Sequence, residues 1–302
     1  MHTTDKWRTR RAALGAAAVC LATTVSATAI AAEETVTGTT LLPETVVTAT
    51  GTQTPSAEVG SSISVITGAE LERRQITFVS DGLRYIPGVA VSRTSGFGSL
   101  TDVRIRGAEA NQTLVLIDGV KVNDPALSSQ FDFGSLLTSD IERIEILRGP
   151  QSVLYGSDAV GGVVNIITKR GSGGPRVTAS TEYGSFDTYQ STATVSGGSD
   201  LYDFALNGIF FDTDGVSAAS EDNGNTEKDG NRNKTVQGQF GLRPADNLEI
   251  RLNGRYQNSN LDTDAFTNVA VDDPSFSNNI ERFGQAQVKL DLLDKNWEHI
   301  FT

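Results

Sequence analysis

Cysteine is almost missing from this 302-residue chain: the single one, Cys20, lies in an apolar stretch near the N-terminus. The chain downstream of it can form no disulfide and no dithiol redox site. Cys20 also makes a poor lipid-attachment site, because Val19 stands where a small residue is wanted. Histidine is limited to His2 and His299, which removes the usual Ser/His, Cys/His and His-based zinc arrangements, so the chain is not read as an enzyme. Beyond the N-terminus no run approaches 18 apolar residues, so no later segment reads as a transmembrane helix. Positive charge is scarce too. The net charge is −12, and the first 31 residues contribute +3 (Lys6, Arg8, Arg10 and Arg11 against Asp5), leaving the remainder at −15. No nucleic-acid partner is expected of such a chain, because sequence-independent binding of that kind depends on Lys and Arg neutralising phosphates.

The basic charge that exists is placed where it signals export. Lys6 to Arg11 precede an Ala/Leu/Val-rich stretch that ends in Ala29-Ile30-Ala31, a small-x-small cleavage pattern, and residues 1–31 read as a secretory signal. Residues 32–55 are Thr-rich with Pro43 and Pro55 and read as an extended tether. Residues 56–170 mix short strands and helices and are expected to form a compact α+β domain. Strands are predicted over Ser62–Thr67, Thr113–Val120, Ile141–Arg148 and Gly161–Lys169, the last as a central strand, with a helix over Gly68–Gln75 and a second capped by Ser80.

From residue 171 the period becomes two. Val236, Gly238, Phe240 and Leu242 alternate with Thr235, Gln237, Gln239 and Arg243, and similar dyads fall at 176–183, 188–197, 201–211, 248–257 and 282–292, with a seventh strand opening at Trp297. Short connections (198–200, 244–246, 293–296) alternate with long ones (212–233, 258–280), the asymmetry of a transmembrane β-barrel; a soluble sandwich is the competing reading. The fold class expected is an α+β plug domain followed by an incomplete antiparallel transmembrane β-barrel over 171–302.

Two blocks, Val103–Asn123 (VRIRGAEANQTLVLIDGVKVN) and Ile141–Lys169 (IERIEILRGPQSVLYGSDAVGGVVNIITK), make the chain resemble the TonB-dependent outer-membrane receptors, and within them the vitamin B12 (cobalamin) receptor subgroup. The resemblance implies a plug filling a barrel in the cell outer membrane. It also implies a TonB box at Glu44, Thr45, Val46, Val47, Thr48 and Ala49, an extended segment able to add to the edge of a sheet in the TonB energy-transducing protein. Val46 and Val47 could equally open the plug's first strand. Ligand contacts are expected from the loops carrying Thr94, Ser95, Phe97 and Ser99 and Asp124, Ser128 and Gln130, although both loops also read as simple surface turns. Arg106 and Arg148 fall where the family places arginines that lock plug to barrel; plug-internal ion pairs are the alternative.

Asp212, Asp214, Asp222 and Asp229 occupy one outer loop and could hold calcium, as acidic loops of cobalamin receptors do, although no EF-hand spacing is present and solvated carboxylates are the plainer reading. Gly156–Gly162 (GSDAVGG) lacks the Lys-Ser/Thr of a phosphate loop and reads as a turn into the plug's last strand. The expected function is energised uptake of a scarce nutrient, cobalamin first and a ferric siderophore second, with a passive porin or adhesin barrel as the rival class. Six or seven strands cannot close around such a plug, so this chain alone is expected not to transport.

Overall fold

The computed structural model describes residues 45–46, 54–55, 60–217, 228–265, 271–292 and 297–302. In the tether, β1 (Thr45–Val46) pairs antiparallel with β2 (Thr54–Pro55). The α+β part then runs β3 (Ser62–Thr67), α1 (Gly68–Arg73), α2 (Val79–Leu83), β4 (Val89–Arg93), β5 (Thr101–Ile105), β6 (Thr113–Ile117), β7 (Val120–Lys121), β8 (Ile141–Arg148), α3 (Ser152–Tyr155) and β9 (Gly162–Thr168). Five strands form one sheet in the order β3-β8-β9-β6-β7, with β6 and β9 parallel and the other neighbours antiparallel; β4 and β5 make a separate hairpin.

Local chemistry explains most of these elements. Thr67 caps α1 by accepting from the Glu70 N–H at 3.2 Å, and the helix stops where Gln75 adopts a positive φ. Ser80 does not cap the second helix as expected. It lies inside α2, fully buried, and accepts from Arg93 at 3.2 Å. The entry to α2 is fixed by a tertiary bond instead, Val79 N–H to Leu136 O at 3.0 Å, which no local pattern announces. The β-branched run of β9 is central and buried at every position, and its neighbours Ile144, Ile146, Val115 and Ile117 complete the main core. The strand predicted over Thr113–Val120 breaks at Asp118-Gly119, where both residues have positive φ and turn β6 back onto β7 in a two-residue hairpin.

The remaining strands, β10 (Arg176–Gly184), β11 (Thr188–Gly198), β12 (Tyr202–Thr213), β13 (Asn231–Ala245), β14 (Leu248–Ala265), β15 (Val271–Leu292) and β16 (Trp297–Phe301), form a seven-stranded antiparallel meander in chain order, an open sheet with β10 and β16 at its edges. The alternation is inverted relative to a water-soluble sandwich. On β13 the buried positions are Asn231, Asn233, Thr235, Gln237 and Gln239, while Val236 and Phe240 are exposed; on β14 Arg255 and Gln257 are buried while Leu252 and Tyr256 are exposed. An apolar outer face over a polar inner one is the pattern of strands whose outside meets hydrocarbon.

The stretch 258–280, expected as a long loop, is largely strand: β14 and β15 stay in register from Asn258↔Ile280 to Thr263↔Ser275. The ladder there carries Asn, Ser, Thr and Asp, and Asn278 donates to Asn258 at 3.2 Å, so the strand continues without the hydrophobic period that would reveal it. Replacing Ile144, fully buried in the plug core, by Ala is expected to cost about 2–5 kcal/mol, read as a lower urea midpoint for plug unfolding.

Candidate functional site

The inner face of the sheet is occupied by the α+β domain, and the contacts between them are mainly polar. The Asp118-Gly119 turn projects the Asp118 carboxylate against β13. One oxygen accepts from Thr168 N at 2.9 Å; the other accepts from Thr168 Oγ1 at 2.7 Å, Gln239 Nε2 at 2.9 Å and Gln237 Nε2 at 3.1 Å. Burial pushes the Asp118 carboxyl above its ordinary range, opposed by the Thr168 hydrogen bonds and by the charge of Arg170. A second anchor is an ion pair in which Arg255 Nη1 donates to Asp140 Oδ2 at 2.7 Å, each side chain only 1% exposed. Arg255 also donates to the side-chain oxygens of Gln237 and Gln257. Asn233 Nδ2 donates to Ser135 O at 2.8 Å and Gln190 Nε2 to Ser139 Oγ at 2.8 Å, so the segment 135–140 is held by β11, β13 and β14 together.

Apolar contact supplements this. Phe78 and Leu137 pack with Ile209 and Phe211 of β12, and Phe283 of β15 reaches the main plug core. Phe97, expected to face ligand, stacks on Phe78 with centroids 5.8 Å apart, and the Arg93 guanidinium lies 5.8 Å from its ring centre. Its loop is pinned to the sheet through this cluster.

Beside the interface lies a crevice of about 640 Å³, with the plug's Leu100, Asp124 and Asp132 on one wall and Ser259, Ser277 and Glu281 of β14 and β15 on the other. Of the residues expected at the ligand, Asp124 lines it. Thr94, Ser95 and Ser99 are engaged within their own loop: Thr94 Oγ1 donates to Leu100 O, Ser95 N–H to Ser99 Oγ, and buried Ser99 to Gly96 O. Asp124 accepts from Ala126 N–H at 2.8 Å, Ser128 takes a left-handed φ of 56°, and Gln130 bridges back to Asp124. Asp132 accepts from the N–H groups of Thr101 and Gly134, and burial pushes its carboxyl upward against those bonds.

The arginines expected to lock plug to barrel, with partners on strands later than these, make no hydrogen bond or ion pair with β10–β16 among the described residues. Arg106 is exposed with φ 52°, and Arg148 donates to Pro87 O at 2.6 Å and Ser64 Oγ at 3.0 Å, contacts internal to the plug. Among the described residues the charged link has the reverse polarity, with the carboxylate on the plug and the guanidinium on the strand. The acidic loop does not assemble a metal site among the described residues. Asp212 accepts from Arg232 through both oxygens at 3.2–3.3 Å, Asp214 lies 3.7 Å from Lys228, Asp229 is buried, and Asp222 lies outside the described residues. Asp212 and Asp214, each beside a cation, do not fit a calcium cage in this arrangement. In the tether, Thr45 and Val46 lie in β1; Glu44, Val47, Thr48 and Ala49 lie outside the described residues.

Residues 55–163 match the family model described as the TonB-dependent Receptor Plug Domain. The ferripyoverdine receptor of the outer membrane of Pseudomonas aeruginosa, bound to ferripyoverdine, has the same fold with a TM-score of 0.66 at 18% identity, over 82% of this chain and 34% of that one. For the siderophore receptor PirA from Acinetobacter baumannii the values are 0.58, 23%, 76% and 37%. For a mutant of the ferric enterobactin receptor PfeA from Pseudomonas aeruginosa, in complex with enterobactin, they are 0.58, 20%, 76% and 38%. The chain thus spans little more than a third of the length of these structures, and the likeness is one of fold: a plug domain against an open sheet of antiparallel strands.

Arg255→Met, which strands Asp140 without its partner, is expected to destabilise plug docking by about 3–5 kcal/mol, and adding Asp140→Leu to recover most of the loss, read by urea titration with limited proteolysis of the plug. Because burial in the folded state raises the Asp118 pKa, the folded state binds that proton more tightly than the unfolded chain. This group's contribution to stability is fully present below the ordinary carboxylate range and is lost as pH rises through the raised value. Asp118→Asn is expected to flatten that slope in denaturation midpoints measured across pH.

Proposed function

We propose that this chain supplies the plug and first strands of a TonB-dependent outer-membrane receptor that takes up a large, scarce metal complex. The observation that carries the reading is the plug seated against the polar inner face of strands whose outer face is apolar, with a crevice of about 640 Å³ beside it. A passive porin has no use for a plug held by a buried ion pair. In this reading ligand binds beside the plug loops, the segment 44–49 is released to the periplasm, and the TonB protein captures it by strand addition and pulls. No covalent chemistry is involved.

Two ligand classes remain in the proposal. The two sequence blocks favour cobalamin, whereas the solved structures named above include receptors for ferric siderophores and favour those. Both are bulky metal chelates that exceed what an open pore passes. Deleting residues 44–49 from the gene's full product is expected to abolish cellular uptake of the ligand while leaving its binding to detergent-solubilised protein unchanged. Uptake that survives the deletion would establish a passive pore.

A further inference from the structure

The crevice beside the plug loops has a sign. Strand alternation turns Glu281 and Phe283 of β15 inward and Arg282 outward, where its guanidinium lies 5.9 Å from the ring centre of Tyr256, a residue on the exposed outer face. Lys121, the other cationic residue of the lining, is paired with Asp158. The carboxylates of Asp124, Asp132 and Glu281 therefore line the space with both lining cations committed elsewhere; the charges of Asp132 and Asp124 are near enough to act on Glu281, and Arg255, the cation that acts on it from behind the wall, is paired with Asp140. The rest of the lining is neutral and mixed, with the hydroxyls of Ser259 and Ser277 beside the side chains of Leu100 and Leu261.

We infer that this crevice selects metal chelates of zero or positive net charge and rejects polyanionic ones. The inference rests on the uptake reading above and narrows its substrate class. A trianionic tricatecholate chelate would bring three negative charges against three carboxylates in a space partly shielded from solvent, where like charges repel more strongly than in water. A neutral trihydroxamate chelate or cyanocobalamin meets hydroxyl groups, amide side chains and apolar carbons without that repulsion, and a cationic chelate gains attraction.

The test is competitive binding to the gene's full product in detergent at low and high salt, using a cationic ferric trihydroxamate, neutral cyanocobalamin and a trianionic ferric tricatecholate as probes. The wild type is expected to bind one of the first two at least about tenfold more tightly than the tricatecholate, a gap that narrows at high salt. Asp124→Asn with Glu281→Gln is expected to close most of the gap, chiefly by tightening tricatecholate binding; Asn retains the capping ability of Asp124, and Asp124→Asn alone gives a partial effect should the double variant fold poorly. A tricatecholate that binds most tightly, a gap indifferent to these substitutions, or no binding of any probe would overturn the inference. Uptake measured in the same cells separates the two levels: tricatecholate entry that needs residues 44–49 removes the charge selection and keeps the transport reading, whereas entry independent of them removes the transport reading.

Discussion

The buried pair between Asp140 of the plug and Arg255 of β14 sets the terms for the rest of the structure. Two charges at 1% exposure survive only where each finds its partner, and here the partner lies on a different part of the fold. The same requirement governs the neighbouring polar groups. The inner faces of β13 and β14 present Asn, Thr, Gln and Arg, which would be water-filled in an empty barrel and are covered here by Ser135, Asp118 and Asp140. Plug and sheet therefore satisfy one another, through an interface that is mainly hydrogen-bonded with one apolar cluster around Phe78 and Phe211.

Much of this was legible in the sequence because it follows from local periodicity. The β-branched run in GGVVNIITK suited a central strand, and it is the central one. The dyads from Val236 to Tyr256 located the meander and its outward apolar face. What local pattern could not supply was the identity of the docking residues. Arg106 and Arg148 were singled out through resemblance alone, with partners expected on later strands, whereas the groups that link plug and sheet here include Asp118 with Gln237 and Gln239, and Asp140 with Arg255, 115 positions apart. Two signals were nevertheless present: an Asp-Gly pair that forces a tight turn at Ile117–Val120, and an arginine on the inward phase of β14.

Phe97 and the strand extension beyond Asn258 show two further limits. An aromatic ring in a glycine-bounded loop reads as a ligand contact, and here the ring packs on Phe78 and the Arg93 guanidinium, which anchors the loop. Hydrogen-bond ladders also continue through Asn, Ser and Thr without leaving a hydrophobic trace, which hid the upper part of the β14–β15 hairpin and with it one wall of the crevice. The sign of the crevice lies in charge placement, and charge placement becomes readable only once strand phase is known.

The central claim is that the plug rests on the inner face of these strands through the 135–140 segment, and a site-directed cross-link tests it most directly. Ser135→Cys and Asn233→Cys, at positions joined by a 2.8 Å hydrogen bond, would be introduced together and oxidised in outer-membrane fractions. Near-complete cross-linking in the absence of ligand, seen as a mobility shift reversed by reductant, is the predicted result. Free thiols at both positions under conditions that oxidise a cysteine pair placed across β8 and β9 would contradict the docked arrangement.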